Sequence, residues 1–129
     1  MTPEWSVLLP DEFNRRIEEG SLVLWRPTLT FWIAAWGDER GLSKEERMNS
    51  TLRSASAYRQ HEQVERTSKL IRLTYELPEE DPERPKPVYT SISGYVFAAA
   101  GHLQISAYFD TPVARTLGYQ VIHSVQNVA

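Results

Sequence analysis

Two runs late in the chain carry the clearest alternation of apolar and polar positions. Val88 to Ala99 (VYTSISGYVFAA) and His102 to Asp110 (HLQISAYFD) are rich in β-branched and aromatic residues, with Gly101 between them. That arrangement predicts a hairpin. In the second run Leu103, Ile105, Ala107 and Phe109 alternate with His102, Gln104, Ser106, Tyr108 and Asp110, giving one apolar and one mostly polar or amphipathic face. Asp110-Thr111-Pro112 then opens a helix: Asp or Thr can accept the free N–H groups of the first turn, where the missing donor of Pro112 costs nothing. Val113, Leu117, Val121 and Val125, with Ala114 and Ile122, recur at helical spacing and predict one apolar side lying on a sheet.

Earlier in the chain, Trp5 to Leu9 reads as a short strand ended by Pro10. Phe13 to Gly20 is short and charged, and reads as an irregular turn of helix or loop capped by Gly20. Ser21 to Arg26 and Leu29 to Trp36 are the next two strands, with Pro27-Thr28 between them. The second of these is apolar on both alternations, Leu29, Phe31, Ile33 and Ala35 against Trp32, Ala34 and Trp36, which predicts a mid-sheet strand covered on both faces. Ser43-Lys44-Glu45-Glu46 has the capping-box spacing, and a helix is expected from there to about Gln60 with Met48, Leu52, Ala55 and Tyr58 as its apolar stripe.

Val64 to Leu77 follows as one strand, Ile71, Leu73, Tyr75 and Leu77 alternating with Arg72, Thr74 and Glu76, which predicts half exposure. Residues 78–87 (PEEDPERPKP) hold four prolines among charged residues and predict an exposed acidic loop. The expectation is a single α+β domain over 1–129: an antiparallel sheet of about six strands and two main helices in βββαβββα order, a layered sandwich.

The chain has 129 residues, 41% of them hydrophobic and 24% charged, in the globular range. No apolar run approaches the roughly 20 residues needed to span a bilayer, so no membrane span is expected. Met1 is followed by Thr-Pro-Glu-Trp rather than a basic segment and an apolar core, which leads to the expectation of a cytoplasmic protein. A net charge of −3 without a basic stripe argues against nucleic acid as a partner. With no cysteine there is neither a disulfide nor a thiolate nucleophile.

Catalytic and metal-binding patterns are hard to find. His61, His102 and His123 fall on different predicted elements without an i, i+4 pair, so no metal site is expected. Ser91-Ile92-Ser93-Gly94 sits inside a strand rather than a G-x-S-x-G elbow, and the glycines form no phosphate cradle. The carboxylates Glu79, Glu80, Asp81 and Glu83 lack the spacing of a calcium loop, and Asn49-Ser50-Thr51 fits a glycosylation triplet inside a helix. No catalytic residue and no cofactor are assigned.

The order of elements resembles the PsbP-like fold, shared by an extrinsic photosystem subunit, a Ran-binding nuclear import factor and the DcrB-type bacterial proteins. The resemblance rests on WSVLLP, LVLW, LTFWIAAW and the ending ISGYVFAAAGHLQISAYFDTPVARTLGYQVIHSV. It implies a protein that binds other macromolecules without being an enzyme. A related bacterial branch comprises chaperones of type VI secretion effectors, which shield apolar helices of their clients. The short opening and the 78–87 loop depart from that branch, and no client or binding residue is carried over.

Trp25, Trp32, Trp36, Tyr89, Tyr95, Phe97, Tyr108 and Phe109 come from strands expected to be neighbours. They either fill two core layers or, in part, line a groove. The leading expectation is a non-enzymatic adaptor or chaperone-like module, as a monomer or homodimer, that holds a protein partner with Trp25, Trp32, Trp36, Tyr95 and Tyr108. The alternatives are a small-ligand binder or enzyme with Tyr95, His102 and Tyr108 around a pocket between sheet and helix, and a toxin-immunity protein acting through the 78–87 loop.

Overall fold

A computed structural model describes residues 5–9, 12–37, 42–55, 57–78, 89–99 and 101–127; the 78–87 loop beyond Pro78 lies outside them. The elements run β1 (Trp5–Ser6), β2 (Asn14–Glu18), β3 (Ser21–Arg26), β4 (Leu29–Gly37), α1 (Lys44–Ser54), β5 (Gln60–Arg66), β6 (Ile71–Pro78), β7 (Tyr89–Ala98), β8 (Gly101–Phe109), α2 (Pro112–His123) and β9 (Gln126–Asn127). Seven strands form one antiparallel sheet in the order β2-β3-β4-β8-β7-β6-β5, and β1 pairs with β9 apart from it. The fold is α+β, with a larger sheet and a different order of elements from those expected.

Two strands account for the difference. Asn14–Glu18 is a strand rather than a loop, pairing with β3 from Glu18↔Ser21 to Asn14↔Trp25. The two residues between them, Glu19 and Gly20, have φ of 50° and 85°, the backbone of a tight hairpin turn whose twist suits the flanking strands. The run expected as one strand from Val64 to Leu77 is a second hairpin, β5–β6, broken at Thr67 to Leu70. There Thr67 N donates to Leu70 O at 2.9 Å and Thr67 Oγ1 accepts from Lys69 N and Leu70 N. A threonine hydroxyl replaces the glycine that would have marked the turn.

Both helices begin where their caps predict. Ser43 Oγ accepts from Glu46 N at 3.1 Å while the Glu46 carboxylate accepts from Ser43 N, and Thr111 Oγ1 accepts from Ala114 N with Pro112 in the first turn. α1 stops at Ser54, short of Gln60, and Tyr58 is exposed rather than part of its stripe. In α2, Val113 is 79% exposed, so it too leaves the predicted stripe; Ala114, Gly118, Val121 and Ile122 are the buried positions.

The helices lie on opposite faces. α2 covers the larger core, in which Leu29, Phe31, Ile33, Ile92, Val96, Leu103, Ile105, Ala107 and Phe109 meet Ala114, Val121, Ile122 and Val125. Two glycines permit the close approach. A Cβ on Gly118 would lie 3.2 Å from Ile92 Cδ1, and one on Gly94 would lie 2.9 Å from Ile122 Cγ2 and 3.0 Å from the Ile105 carbonyl. α1 covers a smaller cluster of Met48, Ile71, Leu73, Tyr75 and Phe97 at the β6–β7 end. Arg47 ties it there, its buried guanidinium donating to the carbonyls of Leu42 and Ala98.

Candidate partner-binding surface

Antiparallel register decides which aromatic residues share a face. Trp25 opposes Thr30, Thr30 opposes Tyr108, Trp32 opposes Ser106, Ala34 opposes Gln104 and Trp36 opposes His102. Across the next ladder Tyr108 opposes Ser91, Ser106 opposes Ser93, Gln104 opposes Tyr95 and His102 opposes Phe97. Opposed residues project to the same side of a sheet. Trp25, Trp32, Trp36, Tyr95 and Tyr108 therefore stand on one face, the face of α1. Phe109 belongs to the core under α2, and the side chain of Tyr89 lies outside the described residues.

α1 rests on β6 and β7, and among the described residues no helix lies over the β3-β4-β8 part of this face, where Val23, opposite Trp32, is nevertheless fully buried. Trp36 is 47% exposed and Tyr108 50%, while Trp25, Trp32, Ala34, Gln104 and Ser106 are half-buried. The prediction that β4 is covered on both faces fails at this point. Its Leu29, Phe31 and Ile33 are buried beneath α2, but its second apolar alternation faces outward.

A row of rings crosses the sheet at one end. Trp36 stacks on His102 with centroids 5.2 Å apart, His102 lies 5.6 Å from Phe97, Phe97 6.2 Å from Tyr95, and Tyr95 6.2 Å from Tyr75. Gln104 Nε2 donates to Tyr95 Oη at 3.3 Å. Burial, then the hydrogen bond with Tyr75, push the Tyr95 phenol well above its usual range, so it stays protonated. At the opposite side Arg16 lies over Trp25, 4.9 Å from its centroid, and its Nε donates to Glu18 at 2.9 Å. Between the rings lie short neutral groups, Thr30, Ala34 and Ser106, each half-buried. The surface offers apolar area with scattered neutral hydrogen-bonding groups and little charge, the make-up of the central part of a protein interface.

Tyr95 lines a depression of about 270 Å³ with Ser50, Thr51, Ser54, Ala55 and Tyr75 beside α1. His102 and Tyr108 are not among its lining residues, although they share its face. His61 is on β5, His102 on the α1 face of β8 and His123 at the end of α2; among the described residues no three His, Cys, Asp or Glu side chains gather as metal ligands. Ser91 and Ser93 are buried on β7, Asn49 to Thr51 lie in α1, and Glu79, Glu80, Asp81 and Glu83 are outside the described residues.

The opposite face holds a polar row where the alternation of β6 predicted solvent. Arg72, Thr74 and Glu76 are all buried there, beside α2. Arg115 Nε and Nη2 donate to the two oxygens of Glu76 at 2.9 and 2.6 Å, and Tyr119 Oη donates to Oε2 at 2.7 Å. Burial pushes the Glu76 carboxyl up, but the hydrogen bonds from Arg115 and Tyr119 outweigh it and hold the group below the usual carboxylate range. The one advance sign was the i, i+4 spacing of Arg115, Tyr119 and His123, a polar stripe on a helix otherwise patterned for burial.

Both sheet edges are charged, Asn14-Arg15-Arg16-Ile17-Glu18 on β2 and Gln60-His61-Glu62-Gln63-Val64-Glu65-Arg66 on β5. Such edges resist the addition of a further strand. No described helix is long and apolar enough to cross a membrane. No family model, curated protein or solved structure matches this chain, so its function has to be read from the aromatic face and the polar row behind it.

Proposed function

We propose that the chain is a non-enzymatic binding module of the adaptor or chaperone-like kind, which holds a protein partner on the aromatic face of β3, β4 and β8. One observation carries this: register brings Trp25, Trp32, Trp36, Tyr95 and Tyr108 to one face, and α1 leaves much of that face open. Half-exposed tryptophan and tyrosine rings are the side chains that contribute most to binding when a partner excludes water from them. The charged edges on β2 and β5 oppose strand addition, which leaves the face as the surface for a partner or for a second copy in a homodimer. A cytoplasmic location belongs to this proposal.

The test is recovery of partners from lysate of the native cells on the tagged chain, alongside the light-scattering mass of the purified protein. The expected result is one protein retained in stoichiometric amount, or a dimer mass, each lost in Trp36→Lys and Tyr108→Lys variants whose circular dichroism is unchanged. Retention that both variants share, or a monomer that retains nothing, overturns the proposal.

A further inference from the structure

Ile17 is the single apolar side chain of the edge strand β2, and it is 67% exposed. Register sets it beside Leu22 on β3 and, one strand further, Ile33 on β4, all on the face that carries α2. α2 packs chiefly on β8, β7 and β4, and so leaves the β2–β3 side of that face to other cover. Phe13 supplies it at one end, edge-on to Phe31 with centroids 5.8 Å apart, and Leu24 beside Phe31 is buried. At the other end the cover stops: Leu22 is half-buried, and Ala35, opposite Leu103 on β8, is exposed.

A depression of about 320 Å³ occupies that end. Ile17, Leu22, Ile33, Ala35 and Leu103 give it an apolar lining, and Arg15 is the one charged side chain on its wall. The β2–β3 turn borders it at Gly20, whose φ of 85° suits glycine and where an added Cβ would meet nothing within 4 Å, so the turn leaves the mouth clear. Apolar walls with a few placed polar groups, in a volume of roughly 300–1,000 Å³, are the make-up of small-molecule sites.

Charge selects among ligands. Arg15 is exposed and forms no ion pair among the described residues, and no acidic side chain lines the depression. Arg16, next to it, points to the opposite face, where Glu18 and the Trp25 ring take it up. Arg15 therefore meets a ligand as an accessible guanidinium without a counter-charge, which repels cations and accepts a carboxylate in a bidentate grip. The aliphatic walls have nothing to offer a sugar or another ligand that is polar all round, and a phosphate dianion calls for more than one cation.

We infer that this depression binds a small amphipathic monocarboxylic acid, its hydrocarbon body against Ile17, Leu22 and Ala35 and its carboxylate on the Arg15 guanidinium. The site is on the opposite face of the sheet from the aromatic surface, and the proposal does not depend on that surface binding a partner.

Titration of the ¹⁵N-labelled chain with hexanoate, hexanamide, hexylammonium and acetate, read at the amides of β2, β3 and β4 with the light-scattering mass taken at the same concentration, tests it. The expected result is saturable hexanoate binding with a Kd on the order of 1 mM, about tenfold tighter than hexanamide, and no saturation with hexylammonium. Each methylene removed between hexanoate and acetate is expected to weaken binding about twofold to fourfold. Arg15→Gln should lower hexanoate to the level of hexanamide. Ala35→Leu narrows the depression without touching the charge and should weaken hexanoate at least about threefold; should it fail to fold, Ile17→Ser, at an exposed position, decides by the same measure. Unchanged hexanoate affinity in folded Arg15→Gln, or in the variant that tests the apolar wall, overturns the site. So do an absence of saturation, acetate binding as tightly as hexanoate, an equal response to hexylammonium, or a dimer mass with β2–β4 amides insensitive to the acid, which would assign this face to a second copy of the chain.

Discussion

Arg115, in the first turns of α2, grips both carboxylate oxygens of Glu76 on β6 across 39 residues of chain. The Glu76 side chain is 1% exposed and that of Arg115 41%, so a buried anion is matched to a cation that still touches water. Removing Glu76 lets Arg115 rehydrate, which puts the loss below the 3–5 kcal/mol of a fully buried broken pair. Glu76→Gln is expected to cost about 1.5–3 kcal/mol in urea unfolding at neutral pH.

The same contact sets an acid dependence. The Glu76 carboxyl titrates lower in the folded chain than in the unfolded one, so its stabilisation is complete above the unfolded value, about 4.3. It is lost as pH falls through the lowered folded value. The urea midpoint of the wild type should therefore drop more steeply than that of Glu76→Gln below about pH 4. Parallel curves would show that the Arg115 contact contributes nothing.

Gly94→Ala places a methyl group 2.9 Å from Ile122 Cγ2 and 3.0 Å from the Ile105 carbonyl. Ile122 can rotate, but the carbonyl belongs to a sheet ladder and cannot yield without moving β8. Overpacking outweighs the entropic gain of replacing glycine, and a net destabilisation of about 1–2 kcal/mol is expected in thermal or urea unfolding.

Val113 and Val121 appear equivalent in the helical stripe, yet one is 79% exposed and the other 1%. Val121→Ala should cost about 2 kcal/mol through lost burial and a residual cavity, whereas Val113→Ala should stay within about 0.5 kcal/mol. Equal losses in urea unfolding would place Val113 in the core.

Trp36→Lys and Tyr108→Lys are expected to change stability by about 1 kcal/mol or less, since half of each side chain already meets water. Trp5→Ala, in the core at 4% exposure, should cost about 3–5 kcal/mol in the same assay. A large loss at Trp36 or Tyr108 would mean that their rings serve packing rather than an open surface.

Legibility in the sequence followed the range of the interaction. The β7–β8 hairpin, the starts of both helices and the strand at Leu29 depend on neighbours a few residues apart, through alternation and side-chain caps, and were readable. β2 and the β5–β6 turn were missed because their turns use Glu19-Gly20 and the Thr67 hydroxyl, and because β2 is an edge strand with every side chain exposed. An exposed edge strand needs no apolar face, so hydrophobic alternation does not mark it.

By itself the sequence determined which residues alternate and therefore which aromatics could share a face. Only tertiary structure decided which of those faces a helix would cover. α1 is anchored by Met48 and Arg47 over β6 and β7, so the second alternation of β4 is left open, while α2 reaches far enough across the sheet to bury Arg72, Thr74 and Glu76. A strand residue has the same local pattern whether water or a helix lies above it. The difference is set by contacts between residues dozens of positions apart, and it separates a solvent face from a buried polar row.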